Sequence, residues 1–390
     1  MSRMMALLRW LVCVAALGSV VPALGAAVPE CHVVYDAGSS GTRMYVYQKQ
    51  EQGWREYTGP RVSALADPVR QIRGKNHADM DAVTEEIAAT LAQIKQEGPV
   101  DDKGRPGWDA FDWERRCDLR SVMVYATAGM RLAEAEDRAG SARLWQLLAE
   151  KLQAKAGDVP VLTRTLTGYE EGLFAWLAVG VGRDDLDFGI VEMGGASSQI
   201  AFPCPRCDRA DDAVRPVWLN GEPVAFYSYS FLGLGQDEAP KALGQPAGCR
   251  HGVGSEEPDW TLEHCTGQLR FAAREGLKDP YNVQQQRRGG HRRVPVTSSG
   301  LSNWYLTGAF KYMEESHFDT CCMNKGQCYN AETSCFRVAY LPSYLTALGV
   351  PADAPVADAN WPLGAVMCRS DDCLRHAEPP LCRWAEEGCL

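Results

Sequence analysis

One pattern occurs twice in this chain and constrains its fold more than any other. Residues 31–47 read CHVVYDAGSSGTRMYVY, and residues 188–202 read FGIVEMGGASSQIAF. Each is an apolar β-rich run, an acid, a Gly-rich polar loop with Ser-Ser, and a second apolar run. That order predicts a β-hairpin whose tight turn is made of small residues. Two such turns facing each other across a cleft make a phosphate clamp. Glycines let an anion approach the backbone, and successive N–H groups point into the gap. The acids that head the loops, Asp36 and Glu192, repel phosphate; a divalent cation between acid and phosphate removes the conflict. Strand-rich segments alternate with helices in both halves, which predicts two α/β lobes of related fold with the active site between them.

The chain has 390 residues, enough for two average domains or one bilobal unit. Its net charge of −10 argues against a nucleic-acid or anionic-membrane partner. An anionic substrate then needs local help from a metal or from backbone amides. Arg3 and Arg9 precede LVCVAALGSVVPALG, and small residues follow around Ala23–Ala27. Residues 1–26 therefore read as a signal peptide cleaved near Gly25 or Ala26, too short for a membrane span and broken by Pro22. The mature protein is expected to be periplasmic or secreted, with no stable membrane insertion. Of 15 cysteines, Cys13 leaves with the signal, and the remaining even set reads as disulfides, most of them after residue 200. Cys204-Pro-Arg-Cys207 has zinc half-site and redox-pair alternatives, but no second CxxC or His pair stands nearby at zinc spacing, which favours a disulfide. The sequence has no Asn-x-Ser/Thr sequon, which points to a bacterial source.

Along the chain, the periodicity predicts helices over 78–96, 141–156 and 169–181, and strands over 121–126 and 160–163. The stretch after the first hairpin to about residue 75 reads as polar, and 97–113 as a loop. Residues 204–300 read as irregular with one helix near 262–276. Residues 301–317 and 335–348 read as helical or mixed, broken at Pro342. The tail from Trp361 reads as loop-like.

Five short segments in order carry a resemblance. They are Asp36-Ala-Gly-Ser-Ser-Gly-Thr-Arg43, Ala126-Thr-Ala-Gly-Met-Arg131, Thr167-Gly-Tyr-Glu-Glu-Gly172 with Trp176 after it, Glu192-Met-Gly-Gly-Ala-Ser-Ser-Gln199, and Asn360-Trp-Pro-Leu-Gly364. The match extends over residues 33–364, and the segments resemble the ecto-apyrases, the nucleoside triphosphate diphosphohydrolases, within the actin/sugar-kinase/Hsp70 superfamily. The resemblance implies an α/β fold of two RNase H-like lobes. Lobe I would cover 27–165 with the first phosphate loop. Lobe II would cover 166–360 with the second loop and the nucleobase site. The Cys-rich segment 361–390 would return to lobe I.

The resemblance also implies roles. Ala37, Gly38, Ser39, Ser40, Gly41 and Thr42 would cradle one terminal phosphate, and Gly194, Gly195, Ala196, Ser197 and Ser198 the other. Asp36, Thr127, Glu192 and Trp361 would hold Mg2+ or Ca2+, largely through water. The family usually has Asp where Glu192 stands, so a longer acid here either ligates directly or moves the metal outward. Glu171 would be the general base for an attacking water, with Ser197 and Gln199 holding that water; Glu170 would be a helix-end acid. Arg131 reads as structural or cleft-facing. Tyr305, Tyr340 and Tyr344 would stack on the nucleobase. Gln236 or a neighbour stands where some relatives carry an Arg that contacts the nucleotide, so that contact is expected to be missing. The expected activity is removal of terminal phosphates from nucleoside tri- and diphosphates by a monomer. The alternatives are an exopolyphosphatase-like enzyme, disfavoured by the acidic charge, and an inactive nucleotide-binding surface protein, disfavoured by Glu171, Ser197 and Gln199.

Overall fold

The computed structural model describes residues 27–70, 78–101, 103–108, 112–243, 249, 261–269, 277–278, 291–312 and 334–375. The signal-peptide reading falls outside these residues. So do Cys321, Cys322, Cys328, Cys382 and Cys389, and parts of the readings over 97–113, 262–276 and 301–317.

The first hairpin is β1 (Glu30–Gly38) and β2 (Gly41–Lys49), joined by Ser39-Ser40. β3 (Trp54–Val62) pairs with the outer edge of β2. It lies where the sequence reads as polar; Gly59 and Pro60 disguise it, and an edge strand tolerates both. α1 (Met80–Glu97) starts at Asp79, whose carboxylate accepts the Ala82 N–H at 2.9 Å. The short α2 (Trp113–Arg116) leads into β4 (Asp118–Ala126), α3 (Ala128–Glu136), α4 (Arg138–Ala156) and β5 (Val161–Thr165). The sheet order is β3-β2-β1-β4-β5, with β4 parallel to both β1 and β5.

α5 (Gly168–Val179) crosses to the second sheet, which begins with β6 (Phe188–Met193) and β7 (Ser197–Pro203). β8 (Val214–Leu219) and β9 (Glu222–Leu232) follow, in the stretch expected to be irregular. Their turn is Asn220-Gly221, both at positive φ (51° and 86°), a two-residue hairpin signal that outweighs Pro216. The remaining elements are α6 (Ala239–Ala242), α7 (Leu262–Gln268), β10 (Leu277–Lys278), β11 (His291–Arg292), α8 (Val296–Ser299), β12 (Asn303–Gly308), α9 (Ser334–Leu348) and α10 (Trp361–Asp371). Thus 301–317 opens with a strand, not a helix, and α9 continues through Pro342. The supposedly loop-like tail starts with a helix that has Pro362 in its first turn, where a missing N–H costs nothing.

The second sheet has the order β12-β6-β7-β9-β8. β6 is antiparallel to β7 and parallel to β12, as β1 is antiparallel to β2 and parallel to β4. The repeated loops thus sit at the same place in two sheets of the same pairing. Side chains alternate between faces. Val33 and Tyr35 of β1 pack with Ile87, Leu91, Leu144 and Leu148 of α1 and α4. Val34 points the other way, into a core with Phe174 and Trp176 of α5 and Val366 of α10. Ile190, Ala201 and Phe226 of the second sheet meet that same core, and Ile200, Phe202 and Phe231 pack outward against α9. The layers run helix, sheet, helix, sheet, helix, with α5 and α10 in the middle.

Disulfides join Cys204–Cys207, Cys249–Cys265 and Cys368–Cys373. Cys31 and Cys117 correct the all-disulfide expectation: both are buried thiols, hydrogen-bonded to each other in the lobe I core. No helix among the described residues is long and apolar enough to cross a membrane.

Candidate active site

A cleft of about 610 Å³ opens between the two Gly-rich turns. Gly38, Ser39 and Ser40 line one wall and Gly194, Gly195, Ala196 and Ser197 the other. The cradle is narrower than expected. Ala37 and Thr42 face each other within the β1–β2 ladder, and Thr42 Oγ1 donates inward to Ser63 O at 2.8 Å. Gly41 closes the turn at φ 151° and does not line the cleft. Ser198 is fully buried and its hydroxyl donates to Glu192 O at 2.7 Å. The two loops nearly touch: a Cβ placed on Gly195 would lie 2.5 Å from Ser39 Oγ.

Glu171 enters from the first turn of α5. Thr167 and Glu170 form a capping box there, and Glu170 also forms a two-pronged ion pair with Arg164 at 2.7 and 2.8 Å. Glu170 therefore belongs to the helix end, while Glu171 points into the cleft. Its Oε2 accepts from Arg131 Nη2, in a close ion pair, and from Gln199 Nε2 at 2.9 Å. Arg131 also reaches Ser197 Oγ at 3.1 Å and Ser230 Oγ at 3.0 Å; Gln199 reaches Ser197 Oγ at 2.6 Å. Arg131, left without a firm role by the sequence, is thus the cation paired with Glu171. Its place one helical turn after Thr127 in the second segment was the available signal.

Thr127 lines the cleft, and its hydroxyl does not cap α3. Trp361, at the start of α10, hydrogen-bonds to Asp36, and Arg43 Nη1 stands 3.7 Å from Asp36 Oδ2. Burial pushes Asp36 up to about 6 despite Arg43 and Trp361. Glu171 is pushed up to about 7 by burial, against the pull of Arg131, with Asp36 adding to the rise. Glu192 goes well above the carboxylate range, through burial first and then through Glu171 and Asp36.

The tyrosines are a correction. Tyr340 and Tyr344 are fully buried in the core behind α9, and Tyr340 OH donates to Leu234 O at 2.6 Å. Tyr305 lies under the Arg183 guanidinium, 3.9 Å from its ring centre, away from the cleft. Helical spacing put the α9 tyrosines on the core-facing stripe. The cleft wall from α9 is instead Arg337, Val338, Leu341 and Pro342. Arg337 Nη1 donates to Gln236 Oε1 at 3.1 Å, so a guanidinium does stand beside that position, brought by another element.

The sequence profile of the GDA1/CD39 (nucleoside phosphatase) family matches residues 114–251. Rat ectonucleoside triphosphate diphosphohydrolase 6 is 24% identical over 414 residues, covering 90% of this chain and 84% of that protein. Over residues 114–251 the chain is thus similar to the GDA1/CD39 (nucleoside phosphatase) family. Rat ectonucleoside triphosphate diphosphohydrolase 1 is 27% identical over 225 residues, covering 53% of this chain and 41% of that protein, and the human diphosphohydrolase 6 is 29% identical over 243 residues with 55% and 44% covered. These two matches span less than half the length of the relatives. A nucleoside triphosphate hydrolase from Neospora caninum shares the fold, with a TM-score of 0.52 at 15% identity over 88% of this chain and 92% of that one. The fold common to both is a two-lobed α/β architecture built on two five-stranded sheets.

The GDA1/CD39 segment contains Thr127, Arg131, Glu171, Glu192, Ser197 and Gln199. Asp36, the first loop and Trp361 lie outside it, and β1 and α10 carry them to the same cleft. A divalent cation fits this set. Asp36, Glu171 and Glu192 converge, Asp36 raising the pKa of both glutamates and Glu171 that of Glu192, and the buried Glu192 Oε2 has no hydrogen-bond partner. Among the described residues no three such side chains stand in direct-ligand geometry. A cation here would therefore draw most of its ligands from water and phosphate, as magnesium tends to do.

Proposed function

We propose that the protein is an exported apyrase. It removes terminal phosphates from nucleoside tri- and diphosphates and leaves the monophosphate. The observation that carries this reading is the buried Glu171 carboxylate, held by Arg131 and Gln199 beside Ser197 at the meeting of two phosphate-binding turns. Glu171 Oε2 is engaged, which leaves Oε1 to take a proton. Gln199 Oε1 is buried and unpartnered, an acceptor that orients a water toward the phosphorus. That water forms the new P–O bond and passes its proton to Glu171, while the bond to the departing nucleotide oxygen breaks in line. The amides of Gly38–Ser40 and Gly194–Ser197 hold the phosphate oxygens in place. Mg2+ or Ca2+, held by Asp36, Glu192 and Thr127 with Trp361 fixing Asp36, would supply neutralisation of the phosphate charge. Export is supported by the signal-like N-terminus and by the disulfides.

Arg43, Arg61, Lys311 and Arg337 face Asp36, Glu171, Glu192 and Asp237 around the cleft. A polyphosphate channel wants an excess of positive charge; this balance favours nucleotides. The test is phosphate release from ATP, ADP, GDP, UDP and polyphosphate, with Mg2+ and with EDTA. Cation-dependent release from the nucleotides is expected, and Glu171→Gln should abolish it while nucleotide binding survives. Turnover retained in Glu171→Gln would remove the base assignment. Release from polyphosphate alone would replace the nucleotide reading.

A further inference from the structure

Besides the shared α5–α10 core, a nearly buried ion pair joins the two lobes outside the catalytic cluster. Arg70 Nη1 donates to Glu238 Oε1 at 3.1 Å, and the two side chains are only 10% and 11% exposed. Arg70 ends a turn whose Leu65, Ala66 and Val69 are buried in the lobe I core, and its own N–H bonds Ala66 O at 3.0 Å. Its Nε also lies 3.7 Å from Glu136, at the end of α3. Glu238 belongs to the segment that braces the second phosphate turn. The N–H groups of Asp237 and Glu238 both bond Gly195 O, at 2.8 and 3.2 Å, and Gln236 N–H bonds Gly194 O at 3.0 Å. Gly233 N–H bonds Ala196 O at 2.8 Å, and Gly235 lies so close that any Cβ there would collide with the Ala196 and Ser197 backbone nitrogens.

We infer that Arg70 and Glu238 are positioning residues, a latch that sets the spacing between the two phosphate turns. The carboxylate that Arg70 grips and an amide that holds Gly195 belong to the same residue. Displacing Glu238 therefore moves Gly195 relative to Ser39, whose Oγ would lie 2.5 Å from a Cβ placed on that glycine. A pair this buried is not one of the solvent-screened surface pairs that contribute little; breaking it leaves an uncompensated charge inside the protein. Lys241, 3.1 Å from the other Glu238 oxygen, steadies the carboxylate but comes from the same short helix and ties nothing across the cleft.

A bound substrate bridges both turns itself, so losing the latch should weaken substrate capture more than turnover at saturation. With ADP and Mg2+, Arg70→Met and Glu238→Gln should each raise KM roughly tenfold with kcat within about twofold. The double variant should be no worse than the poorer single, because both remove one device. Arg70→Lys, which keeps one charged donor, should recover most of the loss. By hydrogen exchange, amides of residues 39–41 and 194–196 should exchange faster in Arg70→Met while β1 and β6 stay protected. The kinetic readout presupposes the phosphohydrolase reading; the exchange readout does not. A wild-type protein without turnover, but with faster loop exchange in Arg70→Met, would retire the enzyme reading and keep the latch. Additive effects, unchanged KM with unchanged loop exchange, or a loss of protection spread evenly over both sheets would overturn the latch.

Discussion

Glu171, the proposed base, stands under two opposing influences. Burial raises its pKa and the Arg131 guanidinium lowers it, and the outcome lies about 7. Only the carboxylate takes a proton, so the rate should climb as pH rises through that region. Replacing Arg131 by Met removes the influence that favours the charged form. The acidic limb of the kcat/KM profile should then move to higher pH, with a loss on the order of tenfold at pH 7 that narrows toward pH 9. A uniform loss at every pH, measured at fixed free cation, would mean that Arg131 shapes the site without tuning the base. This division of labour was only half legible. Glu171, Ser197 and Gln199 stand in short segments that resemble a family; the ion pair joins residues 40 positions apart, on two different helices. The tyrosines failed for the opposite reason. An aromatic at helical spacing satisfies a core as readily as a ligand, and Tyr340 and Tyr344 are in the core.

At the level of elements, the fifth segment shows how packing and chemistry share residues. Trp361 reaches Asp36, whereas Gly364 has no polar function. It lets α10 cross α5 so closely that a Cβ would overlap the Phe174 backbone. Gly364→Ala should therefore cost on the order of 2–3 kcal/mol, as overpacked contacts against rigid backbone do. It should also loosen the hold on Asp36, so that activity falls more than the change in melting temperature explains. An unchanged melting temperature would show that the crossing can relax. The helices with clear periodicity, α1, α4 and α5, were legible in the sequence, and so were both loop hairpins. Three of the missed elements share a physical cause. β3 and β8 are edge strands that carry Pro60 and Pro216, and α10 opens with Pro362 and contains Gly364. Proline reads as a breaker in a one-dimensional pattern, yet it is harmless at a free sheet edge or in the first turn of a helix.

For the whole molecule, the decisive fact is that the lobes share a core. Val34, Tyr45 and Met123 of the first sheet and Ile190, Ala201 and Phe226 of the second pack on the same layer of α5 and α10. The outer layers differ in how they are held. α1 and α4 cover the first sheet with a continuous aliphatic stripe and no disulfide among the described residues, since Cys31 and Cys117 are thiols. The second sheet has Cys204–Cys207 just after β7 and Cys249–Cys265 in the same outer core. Cys368–Cys373 closes the end of α10, where Cys373 O accepts the Trp218 N–H of β8 at 2.9 Å. Removing native disulfides costs several kcal/mol in stapled domains, and the loss falls where the loops were closed. Mild reduction should therefore deprotect β7, β8, β9 and the end of α10 first. The amides of β1, β4, α1 and α4 should remain slow to exchange, and α5 should lie between the two groups because it packs on both sheets. Hydrogen exchange before and after reduction, with peptides resolved for each element, tests this order. Equal loss on both sheets would mean that the shared α5–α10 layer, rather than the disulfides, sets the stability of either lobe.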